Sequence, residues 1–281
     1  MCITFFYINP DKNGKFKLVL VMNRDEFHKR PTSISSWEND VLAGRDQEPG
    51  REGGTWLGIN KSGLVGLLTN IYTGKQSPGA GRGFLVIDYL EGNQDPQEYL
   101  RCLSMNKALY SPFNLVLFKP DGDTYEGQYY CRGHPGCVVD QSVGPMDLEP
   151  GCHGLSNHPI SCPYRKTIAG NEKFQQIILD HLNNREKLIE AAFDMMTDNT
   201  SHHPDDQMIK QGGPESPMAS YHEKLACVNV TISEKGYGTR VTTLILVDRD
   251  NQVTFIERQL QTGQETVHEF SFWNKTSKLK Q

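Results

Sequence analysis

Short apolar runs separated by turn-forming residues dominate the beginning of the chain and predict strands. Residues 2–8 are mostly β-branched or aromatic and are followed by Asn-Pro, and residues 16–22 form a second apolar run beyond an Asn-Gly turn. Both runs are too short for helices, so we predict an antiparallel hairpin. A symmetric register, in which paired residue numbers sum to about 24, places Cys2 beside Met22 and Asn23.

The remainder of the chain contains both strand-like and helix-like segments. Runs of β-branched and other apolar residues predict strands at 55–59, 64–69, 113–118, 124–130, 225–233, 240–248 and 252–258. Apolar residues at helical spacing predict helices at 84–90, 95–107 and within 165–198. The polar stretch 199–217, which carries His, Asp, Gly and Pro, is predicted to be a loop.

This order of segments predicts an α+β fold. With strands toward both ends and helices between them, the simplest layered arrangement is two antiparallel sheets with helices packed outside. No repeat or linker interrupts the sequence, so we predict a single domain over residues 1–281. A chain of that length can form one large core.

Composition and charge narrow the class of protein. Hydrophobic residues make up 37% of the chain and charged residues 22%, which is typical of a water-soluble globular protein. The net charge is only -5, and no segment concentrates Lys or Arg, so we expect no nucleic-acid partner. No apolar run is long enough for a transmembrane segment, and the N-terminal residues lack the basic leader and cleavage site of a secretory signal.

Cysteine usage bears on location. The chain has 7 Cys, an odd number whose spacing suggests no disulfide framework. We therefore expect reduced thiols and a cytoplasmic location, and mitochondrial residence without a cleavable leader stays open.

Cys2 is the first candidate for chemistry. Removal of Met1 would leave one residue that carries both a thiol and a free α-amine, whose ordinary pKa is close to 8. Such an amine can accept the thiol proton at neutral pH, as in an N-terminal nucleophile. The alternative is a cysteine buried at a strand end, where it serves only as a small core residue.

The polar cluster Asn-Arg-Asp-Glu at 23–26 adds to this candidate because the predicted hairpin brings it near Cys2. Arg24 would lower the thiol pKa, Asp25 would orient the amine, and Asn23 would donate to an oxyanion. The alternative interpretation is a charged turn at the end of a strand.

Further polar residues follow predicted strands or lie in Gly-rich loops. Asn70 follows a strand, Asn157 lies in a Gly-bounded loop, and Arg240 opens a late strand. The histidines show no ligand spacing and have no Cys-x-x-Cys partner, so we expect no metal site.

Taken in order, several motifs resemble the NRDE family, whose animal members are the transport and Golgi organisation proteins. They lie at 1–3, 23–31 (which begins Asn-Arg-Asp-Glu), 52–58, 68–70, 81–83, 113–115, 154–157, 236–240, 243–248 and 255–258. The resemblance therefore covers essentially the whole chain.

The resemblance implies a four-layer αββα sandwich like that of N-terminal-nucleophile hydrolases. It implies that Cys2 occupies the nucleophile position of the bile-salt hydrolase and penicillin acylase group. Asn157 and Arg240 then fall at that group's active-site asparagine and late arginine. Arg24 and Asp25 fall in the region of its early arginine and aspartate, although their adjacency departs from its spacing.

The resemblance also implies two functions between which the sequence does not decide. The first is intracellular haem trafficking, with acyl-CoA or another lipid-type molecule as a further ligand and a role in Golgi and mitochondrial homeostasis. The second is an amidase or thioesterase of the choloylglycine-hydrolase type with Cys2 as the nucleophile. Haem would be transported cargo, with no built-in cofactor, and peripheral membrane association stays open.

A binding site for such a ligand would combine apolar and Gly-rich walls with cationic groups for propionates or phosphates. The residues predicted to bind the ligand are Asn23, Arg24, Asp25, Glu26, Arg45, Trp56, Asn70 and Arg82.

Overall fold

The computed structural model describes residues 2–73, 81–105, 110–133, 142–213 and 216–272. The strands are β1 (Ile3–Ile8), β2 (Phe16–Phe27), β3 (Ser36–Glu38), β4 (Val41–Ala43), β5 (Leu57–Asn60), β6 (Val65–Asn70), β7 (Phe113–Asp121), β8 (Thr124–Arg132), β9 (Val143–Leu148), β10 (Gly151–Leu155), β11 (Thr231–Ile232), β12 (Tyr237–Asp248), β13 (Gln252–Gln259) and β14 (Glu265–Ser271). The α-helices are α1 (Phe84–Gly92), α2 (Pro96–Met105), α3 (Arg165–His181), α4 (Arg185–Met195), α5 (Asp206–Gly212) and α6 (His222–Leu225). Short 3-10 helices lie at Ala219–Tyr221 and Ser233–Lys235.

The strands form two antiparallel sheets. The first has the order β10-β1-β2-β12-β13-β14, with β11 paired to β12. Its centre is the pair of β2 and β12, each 12 residues long. The second has the order β3-β4-β5-β6-β7-β8-β9, so its strands follow one another in chain order. The first sheet therefore unites the two ends of the chain, whereas the second is built from local connections.

Alternating side chains of each strand fill different layers. In β1, Phe6 lies in the core between the two sheets, and its neighbour Phe5 packs against Phe174 of α3 on the outer face. On the second sheet, Leu117 of β7 packs in a cluster with Val86 of α1. Helices therefore cover the outer faces of both sheets, and the predicted αββα arrangement is confirmed.

The N-terminal hairpin forms as predicted, but its register is shifted. Ile3 pairs with Asn23, where the symmetric register would pair it with Val21. The side-chain amide of Asn9 explains the shift, because its Nδ2 donates to the carbonyl oxygen of Phe16 at 2.7 Å and so closes the loop asymmetrically.

Strand β2 continues past the predicted end at residue 22. It pairs with β12 as far as Phe27, which lies opposite Tyr237. The alternative interpretation of 23–26 as a charged turn is therefore wrong, because these residues lie in the middle of a sheet. The register also brings Cys2, which precedes Ile3, opposite Arg24 instead of Met22.

Other predictions meet mixed outcomes. The helices at 84–90, 95–107 and 165–198 and the hairpin at 113–130 are confirmed within the described residues, and 106–107 lie outside them. The predicted loop 199–217 contains α5, which begins because the Asp205 side chain accepts from the backbone N–H of Met208. The predicted strand 225–233 is wrong except for β11.

Strands β3, β4, β9, β10 and β14 were not predicted. β3 and β4 have only three residues each, and β9 and β10 contain Gly or Pro. β14 is an edge strand without a buried residue, so its apolar signal is weak. Such strands are stabilised by their neighbours more than by their own sequence.

Candidate functional site

A cavity of about 640 Å³ lies beside Cys2, which precedes β1, and beside the last residues of β2. Residues 71–73 after β6, residues 81–84 at the start of α1, and residues 216–218 before the first 3-10 helix also line it. The cavity therefore gathers segments that are far apart in sequence.

The cluster at 23–26 divides between the two faces of β2. Asn23 and Asp25 point to one side, where Asn23 donates to the carbonyl oxygens of Met196 and Val228 at 2.8 and 3.2 Å. Arg24 points to the other side, toward the second sheet. This follows from the two-residue period of a strand, and it separates Asn23 from Arg24.

Cys2 lies on the wall of the cavity and packs against the core between the sheets. Its carbonyl oxygen accepts from the Ser156 hydroxyl at 2.7 Å. Burial raises the pKa of the Cys2 thiol above its ordinary value, and the nearby Asp25 carboxylate raises it further. The thiol is therefore protonated at neutral pH.

Asp25 is the buried carboxyl group of this region. Its Oδ1 accepts from the Thr239 hydroxyl of β12 at 2.7 Å. Burial raises the pKa of Asp25, while the buried ammonium group of Lys166 acts in the opposite direction. Lys166 donates to the carbonyl oxygen of Cys227 at 3.0 Å, and burial lowers the pKa of this lysine. Sequence reasoning missed Lys166, because nothing in the helical pattern of α3 marks one lysine as fully buried.

Asn157 closes this side of the cavity. Its Nδ2 donates to the carbonyl oxygen of Asn70 at 2.5 Å, which ties the end of β10 to the end of β6. Its Oδ1 accepts from the Ser156 hydroxyl at 3.3 Å. We call Cys2, Asp25 and Asn157 the thiol wall.

Arg24 spans the space between the two sheets. Its guanidinium carbon lies 4.1 Å from the centre of the Trp56 ring, and its Nη1 donates to the Thr32 hydroxyl at 3.0 Å. The stacked ring and the hydroxyl fix the guanidinium plane. Burial lowers the pKa of Arg24, but an arginine remains charged at neutral pH.

The cavity is also lined by three further arginines, Arg30, Arg51 and Arg82, which we call the arginine wall. Arg30 forms a bidentate pair with Asp46, at 3.1 Å from Nε to Oδ1 and 2.6 Å from Nη2 to Oδ2. That hydrogen bonding raises the pKa of Arg30. Sequence reasoning missed both Arg30 and Arg51, since exposed loop arginines are common.

The Arg82 side chain is tied to Pro112, the residue before β7. Its Nη1 donates to the carbonyl oxygen of Pro112 at 2.9 Å. Burial lowers the pKa of Arg82 to about 10, and the positive charges of Arg51 and Arg30 contribute. The group still carries its charge at neutral pH, so this wall holds concentrated positive charge.

A hydrogen-bonded chain of side chains lines a further part of the cavity. The Tyr72 hydroxyl lies 2.6 Å from the Ser216 hydroxyl and 3.2 Å from Nε2 of His222. Gln211 donates to the carbonyl oxygens of Tyr72 and Asn157 at 2.9 and 3.0 Å. The segment that sequence reasoning predicted as a plain loop thus packs against the thiol wall.

Comparison with known proteins identifies the family. The family described as Transport and Golgi organisation 2 matches residues 1–262. The chain belongs to this family. It is 38% identical to the human Transport and Golgi organization protein 2 homolog over 272 residues, which cover 92% of this chain and 93% of the relative. The Drosophila melanogaster Transport and Golgi organization protein 2 is 34% identical, with 98% of this chain and 96% of the relative covered.

Among solved structures, the chain is similar to the conjugated bile acid hydrolase from Clostridium perfringens. The TM-score is 0.46 at 12% sequence identity, and the alignment covers 98% of each chain.

The cavity unites most of the residues that were predicted to form the site. Those that line it are Cys2, Arg24, Asp25, Glu26, Trp56, Asn70, Arg82 and Asn157. Glu26 lies at the side of Arg30, with its Oε2 3.7 Å from Nε. Whether these residues bind or react with a ligand stays a prediction.

Asn23, Arg45 and Arg240 lie apart from the cavity lining. Asn23 faces the helices of the outer layer. Arg45 donates to the carbonyl oxygens of Gly53 and Glu38, and burial lowers the pKa of Arg45. Arg240 is the bulged residue of β12, and it donates to the Phe27 carbonyl oxygen at 3.1 Å. The bulge explains why a strand position adjacent to the cavity does not direct its side chain into it.

Within the described parts of the chain, no group of three His, Cys, Asp or Glu side chains is arranged to hold a metal ion. The helices in the same parts include none that is long and apolar enough to cross a membrane. The predicted removal of Met1 concerns a residue outside the described ones.

Proposed function

We propose that this chain carries an anionic amphiphile inside the cell, with haem as the first candidate cargo and an acyl-CoA-type or other lipid molecule as the second. One observation carries the proposal: Arg24, Arg51 and Arg82 converge on one cavity that also has aromatic surface. Guanidinium groups suit carboxylates and phosphates, and aromatic rings suit a planar or apolar body.

The aromatic surface of the cavity is unevenly placed. Trp56 lies inside beneath the Arg24 guanidinium, whereas Phe27 and Phe84 line the cavity but are 49% and 40% exposed. An amphiphile can therefore direct its anionic groups toward the arginines and leave apolar surface against Phe27 and Phe84. The outward rings also suit transient contact with a membrane from which cargo is collected.

The names of the relatives, which speak of transport and Golgi organisation, are consistent with a carrier. We extend the proposal to a cytoplasmic protein that contributes to Golgi and mitochondrial homeostasis.

A haem titration tests the carrier. Purified protein should shift the haem Soret band with saturable binding. Arg24→Gln should weaken binding about 10- to 100-fold, since a charge-assisted hydrogen bond contributes about 1.5–3 kcal/mol. Arg101→Gln, at an exposed position of α2, is the matched control and should bind as the wild type does. Cys2→Ala should retain binding. No spectral change with haem, together with covalent labelling of Cys2 by an acyl probe, would refute the carrier.

The second candidate is an N-terminal cysteine amidase or thioesterase. It is favoured by one observation: Cys2, Asp25 and Asn157 line the same cavity. After removal of Met1, the α-amine would take the thiol proton, the sulfur would add to the carbonyl, and the leaving group would receive the proton. Water would then hydrolyse the acyl-enzyme.

Mass spectrometry of the native protein distinguishes the two candidates. The hydrolase requires a mass without Met1 and predicts an acyl adduct on Cys2 with a thioester or amide substrate. Cys2→Ala should then abolish turnover and leave the urea midpoint unchanged. Retention of Met1 in active protein would eliminate the hydrolase and leave the carrier.

A further inference from the structure

The arginine wall contains a closely spaced pair of guanidinium groups. A Cβ atom built on Gly81 would lie 2.5 Å from Nη1 of Arg51. The Arg51 guanidinium therefore rests against the backbone of the residue that precedes Arg82. Arg82 is held from its other side by the Pro112 carbonyl oxygen. The absence of a side chain at Gly81 thus permits the two cations to share one corner of the cavity.

This pair lacks a carboxylate of its own within the described parts of the chain. Asp46 is engaged by Arg30 through a bidentate contact, and Glu26 also faces Arg30. The ion pairs of the described residues include neither Arg51 nor Arg82. Two guanidinium groups therefore lie at the cavity without an ion-pair contact among the described residues, although the Glu26 carboxylate raises the pKa of Arg82 from a distance. Such a pair of cations suits a divalent anion.

The start of α1 adds to the positive potential of the same corner. Gly83 and Phe84 line the cavity, and the first turn of this 9-residue helix has no acidic residue and no side-chain cap. Close contact between Gly83 and Gly54 seats the helix there, because a Cβ on Gly83 would lie 3.1 Å from the Gly54 Cα. Helix N-termini favour anions, although here the arginine pair carries the argument.

We infer that Arg51, Arg82 and the start of α1 form a subsite for a phosphoryl group of the ligand. This inference rests on the proposed carrier function, and it favours candidate cargoes that carry a phosphate or diphosphate over haem, whose anionic groups are carboxylates. A tetrahedral dianion presents oxygens in several directions and can meet both guanidinium groups, whereas a planar carboxylate matches one bidentate arginine. Arg24 lies on Trp56, where it meets a separate part of the ligand.

Calorimetry with inorganic pyrophosphate as the probe tests the subsite. Arg82→Gln and Arg51→Gln should each weaken pyrophosphate binding about 10- to 100-fold, as loss of a charge-assisted contact implies. Gly81→Ala should weaken it less, because its methyl group displaces the Arg51 guanidinium without removing the charge. Arg101→Gln should bind as the wild type does. Succinate should bind at least about tenfold more weakly than pyrophosphate.

Two outcomes would overturn the subsite: unchanged pyrophosphate affinity in both glutamine variants, or equal affinity for succinate and pyrophosphate. Haem titration of the same samples separates this inference from the carrier. If the protein binds haem but not pyrophosphate, the subsite is refuted and the carrier function stands. If it binds pyrophosphate but not haem, haem is refuted as cargo and the subsite is supported. If ADP displaces pyrophosphate at a lower concentration than inorganic phosphate does, the bound anion is assigned to an organic phosphate. The opposite order assigns free phosphate, and both orders agree with a phosphoryl subsite.

Discussion

The thiol wall and the arginine wall face the same cavity but are built differently. Asp25 of the thiol wall lies within a strand, and its carboxyl group is bonded to the neighbouring strand through Thr239. The arginine wall comes from loops, and its position depends on backbone contacts such as that between Gly54 and Gly83. One wall is thus fixed by sheet pairing and the other by close approach of loops.

The two walls also respond differently to burial. On the thiol wall, burial raises the pKa values of Cys2 and Asp25 and so favours their neutral forms. On the arginine wall, burial lowers the pKa of Arg82 only to about 10, which leaves it charged at pH 7. The same desolvation therefore favours the neutral forms of the thiol and the carboxyl group but leaves the arginine charged.

The largest expected effect comes from removal of the polar support behind the thiol wall. Asn23 is fully buried, donates to two carbonyl oxygens and accepts from the Thr242 hydroxyl at 2.6 Å. Asn23→Ala should lower the free energy of unfolding by about 3 kcal/mol, because buried partners lose their hydrogen bonds. Urea denaturation measures this. The exposed Asn199→Ala should change it by less than about 0.5 kcal/mol, and equal effects would contradict the role of Asn23.

The stability of the protein should depend on pH through His158, the buried residue that follows Asn157 of the thiol wall. Burial lowers the pKa of His158 to about 4 from its ordinary value of 6.5. Between those values the unfolded chain binds more protons than the folded one, so stability falls as the pH decreases from 6.5. At pH 5 the loss should be about 2 kcal/mol.

Urea midpoints at pH 7.5 and 5.0 check this prediction. His158→Gln should remove most of the difference between the two pH values, because glutamine does not titrate. A variant that retains the full wild-type difference would show that other groups cause it.

The arginine wall should be sensitive to a single methyl group. A Cβ on Gly83 would lie 3.1 Å from both the Gly54 Cα and the Thr55 backbone nitrogen, and neither atom belongs to a flexible side chain. Gly83→Ala should therefore cost about 1–2 kcal/mol by overpacking. Gly92→Ala, which meets only the end of the Gln94 side chain, is the control. Thermal denaturation of both variants makes the comparison, and equal stability would argue against close packing at Gly83.

The smallest effect concerns the reactivity of Cys2. Because burial raises the pKa of its thiol, iodoacetamide at pH 7.5 should modify Cys2 about tenfold more slowly than the exposed Cys162. Peptide mass spectrometry follows both sites in one sample. Modification of Cys2 as fast as that of Cys162 would favour the hydrolase over the carrier.

Sequence reasoning succeeded where a local pattern carried the information. The helices α3 and α4 follow from apolar spacing, and the N-terminal hairpin follows from two apolar runs around a turn. It failed where the conformation of a segment depends on pairing with a segment far away in the sequence. The extension of β2 through Arg24 and Asp25 depends on pairing with β12, which lies more than two hundred residues away. No pattern within 23–26 could indicate that partner.

The same division applies to the site. The juxtaposition of Cys2 with the polar cluster follows from the hairpin. The predicted register was wrong, because the hydrogen bond of the Asn9 side chain makes the loop asymmetric. Lys166, Arg30 and Arg51 were not predicted, since their importance comes only from what they face. Arg240 does not line the cavity itself. It lies at a bulge of β12, which the sequence does not reveal, and its Nη1 donates to the carbonyl oxygens of Phe27 and Arg30, which do line the cavity.

The sequence by itself determined the family, the sandwich of two sheets, and the placement of a thiol beside a polar strand. These follow from apolar periodicity and local motifs, which act over a few residues. Only the tertiary structure decided the charge state of the thiol and the concentration of arginines on one wall. Burial and electrostatic potential are properties of the assembled layers, because they depend on every group that the fold brings near.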